Sequence, residues 1–241
     1  MSKLNRDWVV QPHGPVETLD EGLASVAGEI LMPLGRFPRR MTVVALAGGG
    51  SAVWSAIPLR EAAMREIEAL GTPRFLVIPG IAHRLDAAAW KARYPSLRVV
   101  CPPGAYDAVK EAVPIDFTAD PFADPAVRFE TVPGAGDNEA ALTVRRGGAI
   151  TLVLNDLLAN VRRPRGLGAK IMARLFGFGV RRPQLPRVVR RKIVKDERAL
   201  AGAFRAWAAL PGLERIVVSH GEVITQDPAK ALLRVAGELV A

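Results

Sequence analysis

RFLVIPGIAHRLDAAAW, residues Arg74–Trp90, decides the fold. Phe75–Ile78 is an apolar run too short for a helix and closed by Pro79-Gly80, so it reads as a buried strand. A tight turn follows, then His83, then a helix expected over Asp86–Tyr94 with Asp86 as its N-cap. A histidine just beyond the end of a buried strand lies where open α/β sheets place their chemistry. The chain has three histidines, and a second one repeats the pattern: Arg215–Ser219 (RIVVS) leads into His220. A third apolar run, Thr151–Asn155 (TLVLN), delivers Asp156. Three ligand-type residues therefore end three predicted strands.

Working outward, Gly22–Ile30 is compatible with a strand. Met41–Leu46 and Ser51–Ile57 form a hairpin across Gly48-Gly49-Gly50. That glycine run lacks the Lys-Ser/Thr of a phosphate-binding loop. Pro58 opens a helix whose apolar positions Leu59, Ala63, Ile67 and Leu70 share one face, with Gly71 as the stop. His13, in QPHGP, has a turn composition and reads as a loop histidine. Beyond the central stretch, Leu97–Cys101 is a strand and Tyr106–Val113 a short helix. Ala126–Val132 is a strand ending in Pro133–Glu139 (PGAGDNE). Ala141–Arg145 and Ala149–Leu154 make a second hairpin. Arg187–Leu210 reads mainly as one helix, and Pro228–Val240 as an amphipathic terminal helix. Hairpins followed by strand–helix alternation, twice over, predict two β-rich halves with helices outside and no clean domain boundary.

Composition sets outer limits. Of 241 residues, 49% are hydrophobic and 24% charged, enough for a real core. No apolar run reaches the roughly 18–20 residues that span a bilayer. The first residues turn polar and acidic too early for a secretory leader, so the expected location is cytoplasmic. One cysteine, Cys101, excludes an internal disulfide and a multi-cysteine zinc site, and it reads as a small buried hydrophobe. The net charge of +9 is concentrated. Residues 162–198 hold 13 Lys+Arg against 2 Asp+Glu, while the rest of the chain is close to neutral. This segment reads as a solvated face or as a surface for an anionic partner or a membrane. Interleaved aromatics of the single-strand-binding kind are absent from it.

Histidine and carboxylate side chains together can bind a divalent metal at roughly 2.0–2.2 Å, and an open position on that ion would let it activate water. The order of the features points further. VIPGIAHRLDAAAW, TVPGAGDNE, LVLNDLLAN and VVSHG follow one another as in the metallo-β-lactamase superfamily. The chain resembles that superfamily over about residues 20–241, and within it a subgroup with a degenerate metal motif. The resemblance implies an α/β (α+β) fold, a four-layer αββα sandwich. It would be a single domain over 1–241 with a basic helical insertion at about 162–198 and a site at one edge.

The resemblance also exposes departures. If His83 matches the second histidine of the superfamily's His-x-His-x-Asp-His cluster, Ile81 replaces the first, and Leu85 and Asp86 replace its Asp and last His. Ala135 stands where a histidine follows a Pro-Gly turn, and the nearest carboxylates are Asp137 and Glu139. Asp156 matches the bridging aspartate and His220 the last histidine. At most one divalent ion (zinc, iron or manganese) is then expected, drawn from His83, Glu139, Asp156 and His220. Asp156 is the candidate to orient water or take its proton. The function implied is a hydrolase-like protein acting on an ester, thioester or similar small substrate. The alternatives are a non-catalytic binding protein that has lost metal, or a nucleic-acid-binding relative using 162–198.

Overall fold

The structure is a computed structural model that describes residues 4–32, 35–164 and 167–241. Arg165 and Gly166 of the basic segment lie outside these residues, and so do the side chains at 167–170 and 172. Two sheets face each other. The first runs β1 (His13–Asp20), β2 (Leu23–Met32), β3 (Gly35–Ala45), β4 (Ser51–Trp54), β5 (Pro73–Val77), β6 (Arg98–Val100), in that spatial order. The second has β7 (Val127–Thr131), β8 (Ala140–Arg146), β9 (Ala149–Leu154) and β10 (Leu213–Val218), with β9 between β10 and β8. Hairpin-connected strands pair antiparallel. The β4–β5, β5–β6 and β9–β10 pairs are parallel.

Strand β5 shows why the layers form. Phe75 and Val77 point into the apolar space between the sheets, with Trp54, Leu142 and Val153. Leu76, one position out of phase, points the other way onto Ile67, Trp90 and Val109. A strand buried on both faces reads as a continuous apolar run. Helices α1 (Glu61–Ala69), α2 (Ala87–Arg93) and α3 (Tyr106–Lys110) cover the outer face of the first sheet. After α4 (Leu167–Phe176), helices α5 (Arg187–Lys192), α6 (Glu197–Ala208) and α7 (Pro228–Val240) cover the second, through Val189, Phe204 and Leu232. The result is a four-layer αββα sandwich. Cys101 is free and buried. No helix among the described residues is long and apolar enough to cross a membrane.

Three local expectations are corrected. His13 opens strand β1 instead of lying in a loop, and its Nε2 accepts from the Arg60 amide at 3.1 Å. The helix expected over Arg187–Leu210 is two helices. Asp196 caps the second by accepting from the amides of Arg198 and Ala199, both at 2.9 Å. The break accommodates the Pro133–Asn138 turn: Gly134, at φ 81°, passes so close to Asp196 O and the Leu200 amide that no side chain fits there. Asp86 does not cap α2. Its carboxylate accepts from Asn5 Nδ2 at 2.7 Å and from Arg39 Nη1.

Candidate metal centre

The sheets deliver the site residues. Leu154 of β9 lies opposite Val218 of β10 in parallel register. Asp156 and His220 each follow two residues later, so both leave the same edge of the second sheet side by side. His83 arrives from the first sheet, in the turn after β5, where its amide donates to Gly80 O at 3.2 Å. The three side chains meet. Asp156 Oδ1 is 2.9 Å from His220 Nε2 and 3.3 Å from His83 Nε2, and the two rings are 5.1 Å apart. One ligand atom from each residue falls within a 4.8 Å cluster.

Each imidazole is also held from behind. Pro38 O lies 2.8 Å from His220 Nδ1. A carbonyl can only accept, so Nδ1 carries the proton and Nε2 turns toward Asp156. Ser55 Oγ lies 2.6 Å from His83 Nδ1. Outer contacts of this kind orient metal-ligating histidines. Ser55 sits at φ 53°, a conformation that side-chain-bearing residues rarely take. Pro38 is tolerated in β3 because β4 pairs only with Thr42–Ala45, so among the described residues Pro38 has no strand partner on that side.

Glu139 comes to the same region and stops one layer short. Its carboxylate is fully buried, outside the three-residue cluster, and accepts from Asn155 Nδ2 at 3.0 Å and the Asp156 amide at 3.2 Å. It fills the space beside Gly80, where a side chain would collide with Oε1. Burial and the nearby Asp156 charge push its pKa well above the ordinary carboxylate range. Burial acts on Asp156 in the same sense. There the charge of His83 and the hydrogen bonds from His220 and His83 outweigh it and hold the carboxylate well below its usual range. Burial would lower the His220 value, but its bond to Asp156, the Asp156 charge and the Pro38 carbonyl raise it. The two carboxylates are thus shifted in opposite directions.

The remaining family-motif positions are occupied by other chemistry. Ala135 is fully buried in the core of the second sheet, Ile81 is solvent-exposed, and Leu85 lines the cavity. Asp86 is tied to Arg39, with both side chains buried. A cavity of about 280 Å³ opens onto the cluster, walled by Ile30, Phe37, Ile57, Leu85, Phe178 and Val189. Phe37 packs on His220 at 4.7 Å and on Phe178 at 5.0 Å.

The donor set fits a single divalent ion. Two imidazole nitrogens face one carboxylate oxygen at 2.9 and 3.3 Å, an arrangement that repels unless a proton or a metal lies among them. Sequence reasoning missed Ser55 and Arg39. The one signal for Ser55 was a polar residue within the otherwise apolar run Ala52–Ile57.

No family model matches the sequence, and no curated protein matches it. Solved structures do match in shape. The metallo-β-lactamase FIM-1 from Pseudomonas aeruginosa, in its mono-zinc form, superposes with a TM-score of 0.64 at 13% identity, covering 97% of each chain. A metallo-β-lactamase from Hirschia baltica gives 0.59 at 11% identity, covering 92% of this chain and 98% of that one. One from Erythrobacter litoralis gives 0.57 at 15%, covering 92% of each. At these identities the likeness concerns architecture alone: the chain has the metallo-β-lactamase fold.

Proposed function

We propose that the chain is a hydrolase-like protein that holds one divalent cation among His83, Asp156 and His220. The observation that carries this reading is the convergence of three donor atoms whose imidazoles are both fixed from behind, by Ser55 and Pro38. A bound cation supplies Lewis acidity toward an acyl oxygen and toward water. The chain's own residues do the rest. Ser55 and Pro38 hold the two Nδ1 atoms and so aim both Nε2 atoms inward. Asp156, kept ionised, has a second oxygen with which to orient water or take its proton. Glu139 braces the Asp156 backbone by accepting from its amide, and burial favours its uncharged form. The apolar walls suit a small acyl group, so an ester or thioester with an aliphatic acyl portion is the substrate class favoured.

Elemental analysis of protein purified without chelator tests the proposal. About one zinc, iron or manganese per chain is expected, with most of it lost in His220→Ala. No ion in the purified protein, and none taken up on addition, would favour the binding-protein alternative. Loaded protein would then be assayed on short-chain esters and thioesters.

A further inference from the structure

We propose that the chain docks on an anionic lipid bilayer through α4, with headgroup phosphates received in an arginine-lined cleft beside it. Two independent observations carry this. The first is apolar exposure. Ile171 and Leu175, one helical turn apart, are 50% and 60% exposed, and the adjoining Phe176 is exposed as well. The helix is tied down from its other side. Ala173 is buried, its carbonyl accepts from the Phe178 amide, and Phe178 packs on Phe37. Its aliphatic side chains therefore face water from a fixed support.

The second observation is a cleft of about 920 Å³, lined by Arg36, Arg39, Arg40, Arg162 and Arg163 together with Glu29 and Glu222. Arg36 pairs with Glu29, Arg40 with Glu17, and Arg39 with Asp86. Arg162 and Arg163, exposed just ahead of α4, make no ion pair with a described carboxylate, and neither do the exposed Arg174 and Arg181 on and beyond it. Cleft and helix are neighbours, because Arg36 adjoins the Phe37 on which Phe178 packs.

Basic side chains flanking exposed aliphatic ones are what an interfacial helix offers to anionic lipid. A nucleic acid would engage the arginines but leave Ile171 and Leu175 in water. A second copy of the chain would bring like charge against like charge across the +11 segment. The inference stands whether or not the site holds a metal.

Vesicle co-sedimentation of the full chain tests it, using phosphatidylcholine alone and phosphatidylcholine mixed with phosphatidylglycerol. Binding to the mixed vesicles only is expected, falling about fivefold or more at high salt. It should be lost both in Ile171→Glu/Leu175→Glu and in Arg174→Glu/Arg181→Glu. These positions are exposed, so the variants should keep the wild-type circular dichroism and melting midpoint. Absence of binding to anionic vesicles at low salt overturns the proposal. So does binding that survives Ile171→Glu/Leu175→Glu. Self-association of the wild type that this double variant abolishes would assign the face to a second copy, and binding to RNA with none to vesicles would assign the arginines to nucleic acid; either result also overturns it.

Discussion

Asp156 and His220 stand in equivalent places beyond two paired parallel strands, and that register alone brings Oδ1 to 2.9 Å from Nε2. The pairing fixes how the protein responds to pH. The His220 value is raised above its ordinary 6.5. Its contribution to stability in the metal-free chain is therefore complete below about 6.5 and is lost as pH climbs through the higher folded value. Asp156, depressed below 3.8, contributes above that value and loses its contribution as pH falls through the lower one. A metal competes with the proton on Nε2, so its affinity should rise with pH, by about tenfold per unit for each proton displaced. Melting midpoints with and without zinc check this. The metal-free midpoint should fall from mildly acidic to alkaline pH while the shift given by zinc grows. A zinc shift that ignores pH would contradict the assignment.

Glu139 offers a sharper discrimination, because support and ligation predict different outcomes for a neutral isostere. Burial and the Asp156 charge both favour its uncharged form. Glu139→Gln keeps an acceptor for Asn155 and the Asp156 amide, and should leave metal content and melting midpoint close to wild type. Glu139→Ala strands both donors in a buried space and should cost about 1–3 kcal/mol, measured by urea unfolding. If Glu139 were a ligand, Gln would already remove the metal.

Ser55 combines a strained backbone with a hydrogen bond to a candidate ligand, and substitution separates the two. Both Ser55→Ala and Ser55→Gly free His83 Nδ1, and each should weaken zinc binding by about 10–100-fold. Only glycine also relieves the left-handed conformation, so Ser55→Gly should match or exceed the wild-type stability by about 1 kcal/mol. Competition against a chromophoric chelator and urea unfolding supply the two measurements. Strain held for function, with stability given up for it, is the pattern expected at a site.

The parts of the molecule legible in the sequence were those set by local pattern. Phe75–Ile78 announced a doubly buried strand, and the residues after three such strands proved to be neighbours. Strand β1 was not legible, because HGPVETLD is half-exposed edge strand with no alternation and two turn formers near its start. The single long helix over 187–210 failed because its apolar periodicity says nothing of the Gly134 turn that presses on Asp196 from 62 residues away. The role of Glu139 was hidden for a related reason. A carboxylate that closes a Gly-rich turn looks the same in sequence whether it ends in the cluster or behind it. Ser55 lay closest to being readable, since it is the one polar residue of the run Ala52–Ile57. Its partner is 28 positions on, however, and only the β4–β5 pairing joins them.

The Arg39–Asp86 pair is the last element whose role can be tested. Both side chains are almost wholly buried, Arg39 Nε has no partner among the described residues, and Asp86 lies three residues past His83 in the turn that presents it. A buried ion pair earns little net stability but punishes the loss of one member. Asp86→Ala should therefore destabilise by about 3–5 kcal/mol and loosen His83, lowering zinc affinity along with the melting midpoint. Arg39→Met/Asp86→Leu removes both charges at similar volume and should recover most of that stability. The two readouts should then part company. If His83 is held by its own turn and by Ser55, the double variant regains zinc affinity together with stability. If the ion pair itself sets the turn, stability returns and affinity does not. Unfolding and chelator-competition titrations on the two variants decide between these outcomes, and a single Asp86→Ala variant as stable as wild type would show that the pair is not structural at all.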